Sequence, residues 1–474
     1  MNKEKIKKII SINLVLICIL SIINLSPKSL AVISQNTNKG NITVTNIENG
    51  INVSLYKLAS VEYDYTSNEP KEGYKWNENL QNWLNENMPE YSDSKVFYES
   101  IKSNSEEARK VYDKITSKIK SNEIQIEPYM KKSTDGYKTY PVDEEKLSGK
   151  LKFENVDMGT YLVMLENGYM VYMPTIVNVV PTYNDETKEW ELQDQNVVIK
   201  ATKTSISKTI TDEVKKKDNY SSKDEFTYTI KADVPTYLEN SLSKRYKIID
   251  KMDDSIKLND ESIKIYGIKN GENETIINDY TLNLNTQIAG YGIVAFIVDF
   301  DYSKISKYDT IKIVYSASLV KDGNLIIGKE GNNNYAVLEY ANNPYSKTDY
   351  QIQETPRRKV YTYGMTIESV DKENEKKLLP GSEFNVLDEN GNILYFKKYN
   401  DGVYFQTNSD DQDAVTNVSV DKNGYLYLKG FDEGTYNIKQ AKAPEGYQIS
   451  RKIYQMNLSD SNLDGELDEE CKLV

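Results

Sequence analysis

The chain has no histidine and only two cysteines in 474 residues. Without histidine, Ser-His-Asp and Cys-His catalytic machinery and histidine-ligated metal sites are excluded. Cys18 lies inside an apolar stretch that reads as a removable export signal, so the processed chain keeps Cys471 alone. An exported protein of this size would often use disulfides, and here no intrachain one can form. Apolar residues are also scarce, 38% of the chain at a mean hydropathy of −0.64. That suffices for β domains whose outer faces are wet. Basic residues are outnumbered, 59 against 72 acidic ones, and the net charge of −13 is spread along the chain. No nucleic-acid partner fits that charge. Tyrosine, by contrast, is abundant at 38 residues. It suits strands, where the ring packs and the hydroxyl stays solvated.

Residues 1–31 have the layout of a signal peptide. Lys3, Lys5, Lys7 and Lys8 precede an apolar run over residues 9–23, and Ser29-Leu30-Ala31 fits a signal-peptidase site. The run is short and ends in Asn24, Pro27 and Lys28, which favours cleavage over a permanent anchor. Ile17 before Cys18 makes a poor lipoprotein site. Secretion is therefore expected, and the processed chain is more acidic still.

The remainder reads as mainly β: three tandem immunoglobulin-like β-sandwich domains and an acidic tail. The first spans 32–201, with strand-like alternation over 40–64 and again over 151–180. Between them, Trp76, Leu80, Trp83 and Leu84 at helical spacing predict a helical insertion over 76–121. Its aromatics read as core. The second domain spans 202–356, with strands expected at 225–231, 245–250, 262–267, 294–300, 310–318 and 334–341. The third spans 357–460, with strands near 361–370, 383–388, 403–406, 425–429 and 434–440. Short strands with regular turn signals favour sandwiches. Residues 461–474 are acidic and read as disordered.

Three of the strands carry one polar residue each on the face that alternation assigns to the core. Lys208 shares a face with Ile206 and Ile210, and Asp250 with Tyr246, Ile248 and Met252. Asn334 shares one with Ala336, Leu338 and Tyr340. Taken singly, a lysine can snorkel, an aspartate can cap a turn and an asparagine can bond backbone. Together they match chemically, since burying any of them unpaired is costly. A neutral lysine amine is a nucleophile, and burial lowers its pKa while raising that of an aspartate. Asp250 can then act as proton relay while Lys208 attacks the Asn334 carboxamide, ammonia leaves, and an amide staples the first and last strands of the domain. The reaction happens once and is not enzymatic turnover. Asn342 has the same phase, but the spacing favours Asn334.

The strings around these residues resemble the major pilins and pilus-like adhesins of Gram-positive bacteria. Ser207-Lys208-Thr209-Ile210, Ile249-Asp250 and the run from Asn334 to Pro344 look like that family's middle, isopeptide-forming domain. The third domain resembles a collagen-adhesin B-type module, through Leu379-Pro380-Gly381-Ser382-Glu383-Phe384 and the closing box Gly434-Thr435-Tyr436-Asn437-Ile438-Lys439-Gln440. There the family's lysine and glutamate positions hold Ser369 and Gln440, so no crosslink of the familiar kind is expected. The family's linkage lysine implies Lys200 or Lys203, with Lys200 ahead, although the surrounding Tyr-Pro-Lys string is absent. The family's sorting signal is also missing from the C-terminus, which ends in Asp468-Glu469-Glu470-Cys471-Lys472-Leu473-Val474.

The resemblance implies a structural pilus subunit at the cell wall, with other pilin subunits and a sortase as partners. Neither a cofactor nor a metal is implied. The competing reading is a non-polymerising adhesin whose first domain binds a host or matrix ligand, with the helical insertion as its distinguishing feature. A secreted hydrolase has little behind it, since Asp253-Asp254 and Asp410-Asp411 sit in polar loop contexts.

Overall fold

The computed structural model describes residues 38–102, 106–137, 147, 149–211, 218–469 and 472–473. The expected signal and Cys471 lie outside the described residues. Strands dominate, as the composition predicts, and they sort into three successive sets, each with its own sheets.

The first set opens with β1 (Lys39–Ile47), β2 (Asn52–Asp64) and β3 (Glu69–Trp76). The helices α1 (Glu78–Asn87), α2 (Ser94–Lys102) and α3 (Glu106–Lys120) follow, then β4 (Met130–Ser133), β5 (Gly149–Asp157), β6 (Gly159–Glu166), β7 (Thr175–Val179) and β8 (Gln195–Val198). One sheet runs β8-β1-β5; the other runs β3-β2-β6-β7, with β4 also on β2. β2 is apolar on both faces for a reason. Val53 and Leu55 fill the space between the sheets, while Tyr56 and Leu58 face the helices. The helical insertion thus forms a third layer, anchored by Leu80, Leu84, Val111 and Ile115. Trp76 ends β3 instead of opening a helix, and its ring meets Phe97 at 4.8 Å. The helix begins one residue later, where the Asn77 side chain accepts from the backbone N–H groups of Asn79 and Leu80.

The middle set contains β9 (Ile206–Thr211), β10 (Glu225–Asp233), β11 (Tyr246–Met252), β12 (Ile256–Ile268), β13 (Thr281–Ile288), β14 (Gly292–Asp299), β15 (Thr310–Leu319), β16 (Asn332–Tyr340), β17 (Gln351–Glu354) and β18 (Arg358–Val360). One sheet runs β9-β10-β15-β12, and the facing sheet runs β13-β14-β11-β16-β17, with β18 also on β16. Alternation is strict where one face is buried: Phe226, Tyr228, Ile230 and Ala232 on β10, and Ile311, Ile313, Tyr315 and Ala317 on β15. β16 is not the last strand, since β17 and β18 follow and both pair with it.

The third set contains β19 (Tyr363–Glu368), β20 (Glu383–Leu387), β21 (Tyr395–Asn400), β22 (Val403–Thr407), β23 (Tyr425–Phe431), β24 (Gly434–Lys442), β25 (Ile453–Leu458) and β26 (Lys472–Leu473). They form the sheets β21-β22-β23-β19-β26 and β20-β24-β25, around Val386, Phe396, Leu428 and Ile438. The acidic tail is ordered where described, against expectation. Its carboxylates accept hydrogen bonds in place of solvent. Asp468 takes the hydroxyls of Ser459 and Ser461, and the fully buried Asp460, at the end of the third domain, takes the tail's Asp464 and Gly465 N–H groups and the Tyr363 hydroxyl.

The sets are not loosely strung. Val171 from the first and Phe405 from the third belong to the middle core, and Tyr345 from the middle set belongs to the helical layer of the first. At the second junction the Ser222 N–H donates to the Gly430 carbonyl at 2.9 Å, and its hydroxyl donates to the Gln406 carbonyl at 2.6 Å. Gly430 has φ +84°, and a Cβ there would lie 2.1 Å from the Ser222 hydroxyl. Gly430→Ala therefore combines backbone strain with a clash. It should cost about 1–3 kcal/mol in urea unfolding of the chain, whereas Gly391→Ala, with the same sign of φ but open space around it, should cost less.

Candidate self-crosslinking site

Lys208 stands on β9, paired with Ile230 of β10. Asp250 and Asn334 stand on the facing sheet, where β11 and β16 pair Asp250 with Ala336 and Met252 with Asn334. The pleat aims all three side chains into the space between the sheets, where they are at most 1% exposed. The three positions that alternation singled out meet there. The Lys208 Nζ donates to Asn334 Oδ1 at 2.6 Å and also to Asp250 Oδ2. Arg358 on β18 secures the strand from behind, donating its Nε to the Lys208 carbonyl at 2.7 Å.

Sequence reasoning missed a fourth member. The Tyr315 hydroxyl donates to Asp250 Oδ2 at 2.7 Å and accepts from Lys208 Nζ at 2.6 Å and from Asn334 Nδ2 at 3.0 Å. The amine also lies 4.8 Å from the centre of the Tyr228 ring and 5.3 Å from that of Tyr315. The available signal was Tyr315's phase with Ile311, Ile313 and Ala317 on β15, but a buried tyrosine in a tyrosine-rich chain is not distinctive.

Burial governs the protonation of this group. It pushes the Lys208 amine down from its usual 10.5 to about 8, against the pull of Asp250. It raises the Asp250 carboxyl, opposed by Lys208, and raises the Tyr315 phenol far enough to keep it protonated at neutral pH.

The other expected positions lie elsewhere. Asn342 is remote from the amine: its Nδ2 donates to the Gly168 carbonyl at 2.8 Å, at the junction with the first set. Lys200 is exposed and Lys203 half-buried, just before β9. In the third set the Ser369 and Ser382 hydroxyls are hydrogen-bonded at 2.7 Å. Gln440 donates to Ser382 at 3.3 Å and accepts from the Ser450 N–H at 2.7 Å. A neutral network occupies the place where a lysine and a glutamate would stand. Among the described residues no cluster of acidic or cysteine side chains is placed to hold a metal ion.

The depressed amine sets a pH window. In Asn334→Ala the amine and carboxyl persist without an electrophile. Between pH 8 and 10.5 its unfolded state holds a proton that the folded state has lost, so folding strengthens as pH rises through that window. The melting temperature of Asn334→Ala should therefore rise from pH 8 to 10 relative to the double variant Lys208→Met/Asn334→Ala, as differential scanning calorimetry would read.

Residues 364–470 match the SpaA prealbumin-like fold domain. Over 459 residues the chain is 24% identical to the trypsin-resistant surface T6 protein of Streptococcus pyogenes serotype M6, covering 93% of this chain and 75% of that protein. The solved T6 backbone pilin of the same serotype superposes with a TM-score of 0.63 at 21% identity, covering 90% of this chain and 81% of the other. Two major pilins of Corynebacterium diphtheriae also superpose. SpaD does so with a TM-score of 0.53 at 17% identity, covering 94% of this chain and 98% of its own. SpaA, whose structure points to a modular pilus assembly and stabilising isopeptide bonds, gives 0.51 at 16% identity, covering 92% and 99%. Residues 364–470 thus carry a SpaA-type prealbumin-like domain, and along nearly its whole length the chain is similar in sequence to the T6 protein and shares its fold with these pilins.

Proposed function

We propose that the chain is a structural subunit of a Gram-positive surface pilus whose middle unit closes itself with an amide between Lys208 and Asn334. The observation that carries this reading is the dry cluster itself: an amine, a carboxamide, a carboxyl and a phenol in mutual contact, with no solvent exposure to explain them. Lys208 Nζ, its extra proton passed to Asp250, attacks Asn334 Cγ as the neutral amine, and Asp250 takes the proton that the amine sheds as it releases its first one to Tyr315. Tyr315 hydrogen-bonds both the Asp250 carboxyl and Asn334 Nδ2, so it passes its proton to the departing nitrogen and regains one from Asp250. The Nζ–Cγ bond forms, the Cγ–Nδ2 bond breaks, and ammonia leaves. Folding supplies the proximity, so no outside catalyst is required.

The benefit is mechanical. Lys208 and Asn334 are 126 residues apart in sequence, and the chain-entropy treatment of crosslinks gives roughly 5 kcal/mol for closing a loop of that order. Force applied along the chain bypasses the residues between them. Surface display and polymerisation through Lys200, the more exposed of the two candidates, belong to the same reading.

The intact mass of the folded chain from Val32 onward should be lower than its sequence mass by one ammonia. Lys208→Ala and Asn334→Ala should restore the sequence mass expected for each variant, and Asp250→Ala should leave most molecules unreacted. A folded parent protein at full mass contradicts the crosslink. For polymerisation, Lys200→Arg should abolish the covalent ladder of wall extracts and Lys203→Arg should leave it; a ladder unaffected by Lys200→Arg excludes that lysine.

A further inference from the structure

We infer that Asp113 of the helical insertion is the lock of the joint between the first and middle units, and that the insertion serves to hold the two as one rigid body. Asp113 is 2% exposed on α3. Its Oδ1 accepts from the Tyr345 hydroxyl at 2.5 Å, and its Oδ2 accepts from both the backbone N–H and the Nδ2 of Asn240 at 2.9 Å. All three donors come from the middle unit, Asn240 from the loop between β10 and β11 and Tyr345 from the segment after β16. Among the described residues Asp113 makes no salt bridge, so neutral donors of the other unit satisfy its charge. Hydrogen bonds to a carboxylate are roughly twice as strong as neutral ones.

The geometry makes this a lock against rotation and not simply a contact. The three bonds converge on one short side chain, and α3 is itself fixed to the β2–β6 sheet through Val111, Ile115 and Ile119. Tyr345 places its ring in that apolar layer, 3% exposed, and its hydroxyl on the carboxylate, so the ring sets depth and the hydroxyl sets angle. A second line of contact lies to one side. The Tyr340 hydroxyl donates to the Tyr169 carbonyl at 2.5 Å, and Asn342 Nδ2 donates to the Gly168 carbonyl at 2.8 Å. These contacts add to those on Asp113 in holding the two units together.

The test is double electron–electron resonance on the full processed chain. With Cys471→Ser as background, spin labels go on Lys152→Cys in the first unit and Asn283→Cys in the middle unit, both exposed positions. A control pair, Lys152→Cys with Glu86→Cys, reports on the first unit alone. The parent should give one narrow inter-unit distance. Asp113→Ala and Tyr345→Phe should each lose it to a broad distribution while the control pair stays narrow. A broad inter-unit distribution in the parent, or one that stays narrow in both variants, overturns the inference. Should Asp113→Ala also broaden the control pair, Tyr345→Phe decides, since it removes only the hydroxyl.

Discussion

The proposed crosslink depends on the cost of keeping an amine and a carboxyl in a dry β-sandwich. In water both are charged. Between two sheets the charged forms lose their hydration, and the pair drifts toward the neutral state in which the amine is nucleophilic and the carboxyl can carry the proton. An arrangement that would be a liability as a permanent ion pair becomes a reagent when a carboxamide stands 2.6 Å from the amine. The proposed reaction removes the buried charge problem altogether, since the product is a neutral amide. On this account the chain gains a covalent tie that uses neither of its two cysteines.

The position of the cluster in the fold matters as much as its chemistry. β9 follows directly from the first unit, and β16 leads into Tyr340, Asn342 and Tyr345, which dock on that unit. The strands that carry the crosslinking residues therefore also carry one junction. At the other junction β18 ties Arg358 to the Lys208 carbonyl just before the third unit begins. Lys208 and Asn334 are thus tied to both junctions through short, hydrogen-bonded paths. In the third unit Ser369, Ser382 and Gln440 form a neutral hydrogen-bonded network.

Much of this was legible in the sequence, for reasons that can be stated residue by residue. A polar residue in apolar phase is conspicuous on a strictly alternating strand, which is why Lys208, Asp250 and Asn334 stood out. Tyr315 did not, because tyrosine is at home in a core and only its partners reveal its role. Trp76 fitted a helical period with Leu80 and Trp83, yet the cap at Asn77 places it at the end of β3. β13 was missed although its alternation is regular, with Leu282, Leu284 and Ile288 on one face and Asn283, Asn285 and Gln287 on the other. The acidic tail read as disordered from composition alone, since nothing local announces that Asp460 will find buried donors. The joints were illegible for the same reason: Asp113 and Tyr345 are 232 residues apart.

The most direct test of the central claim is tandem mass spectrometry of a protease digest of the folded protein. The account predicts a branched peptide in which the segment carrying Lys208 is joined to the segment carrying Asn334, with fragment ions placing the bond at the lysine Nζ and the asparagine Cγ. Two separate linear peptides, with a free lysine amine and an intact asparagine carboxamide, would contradict it.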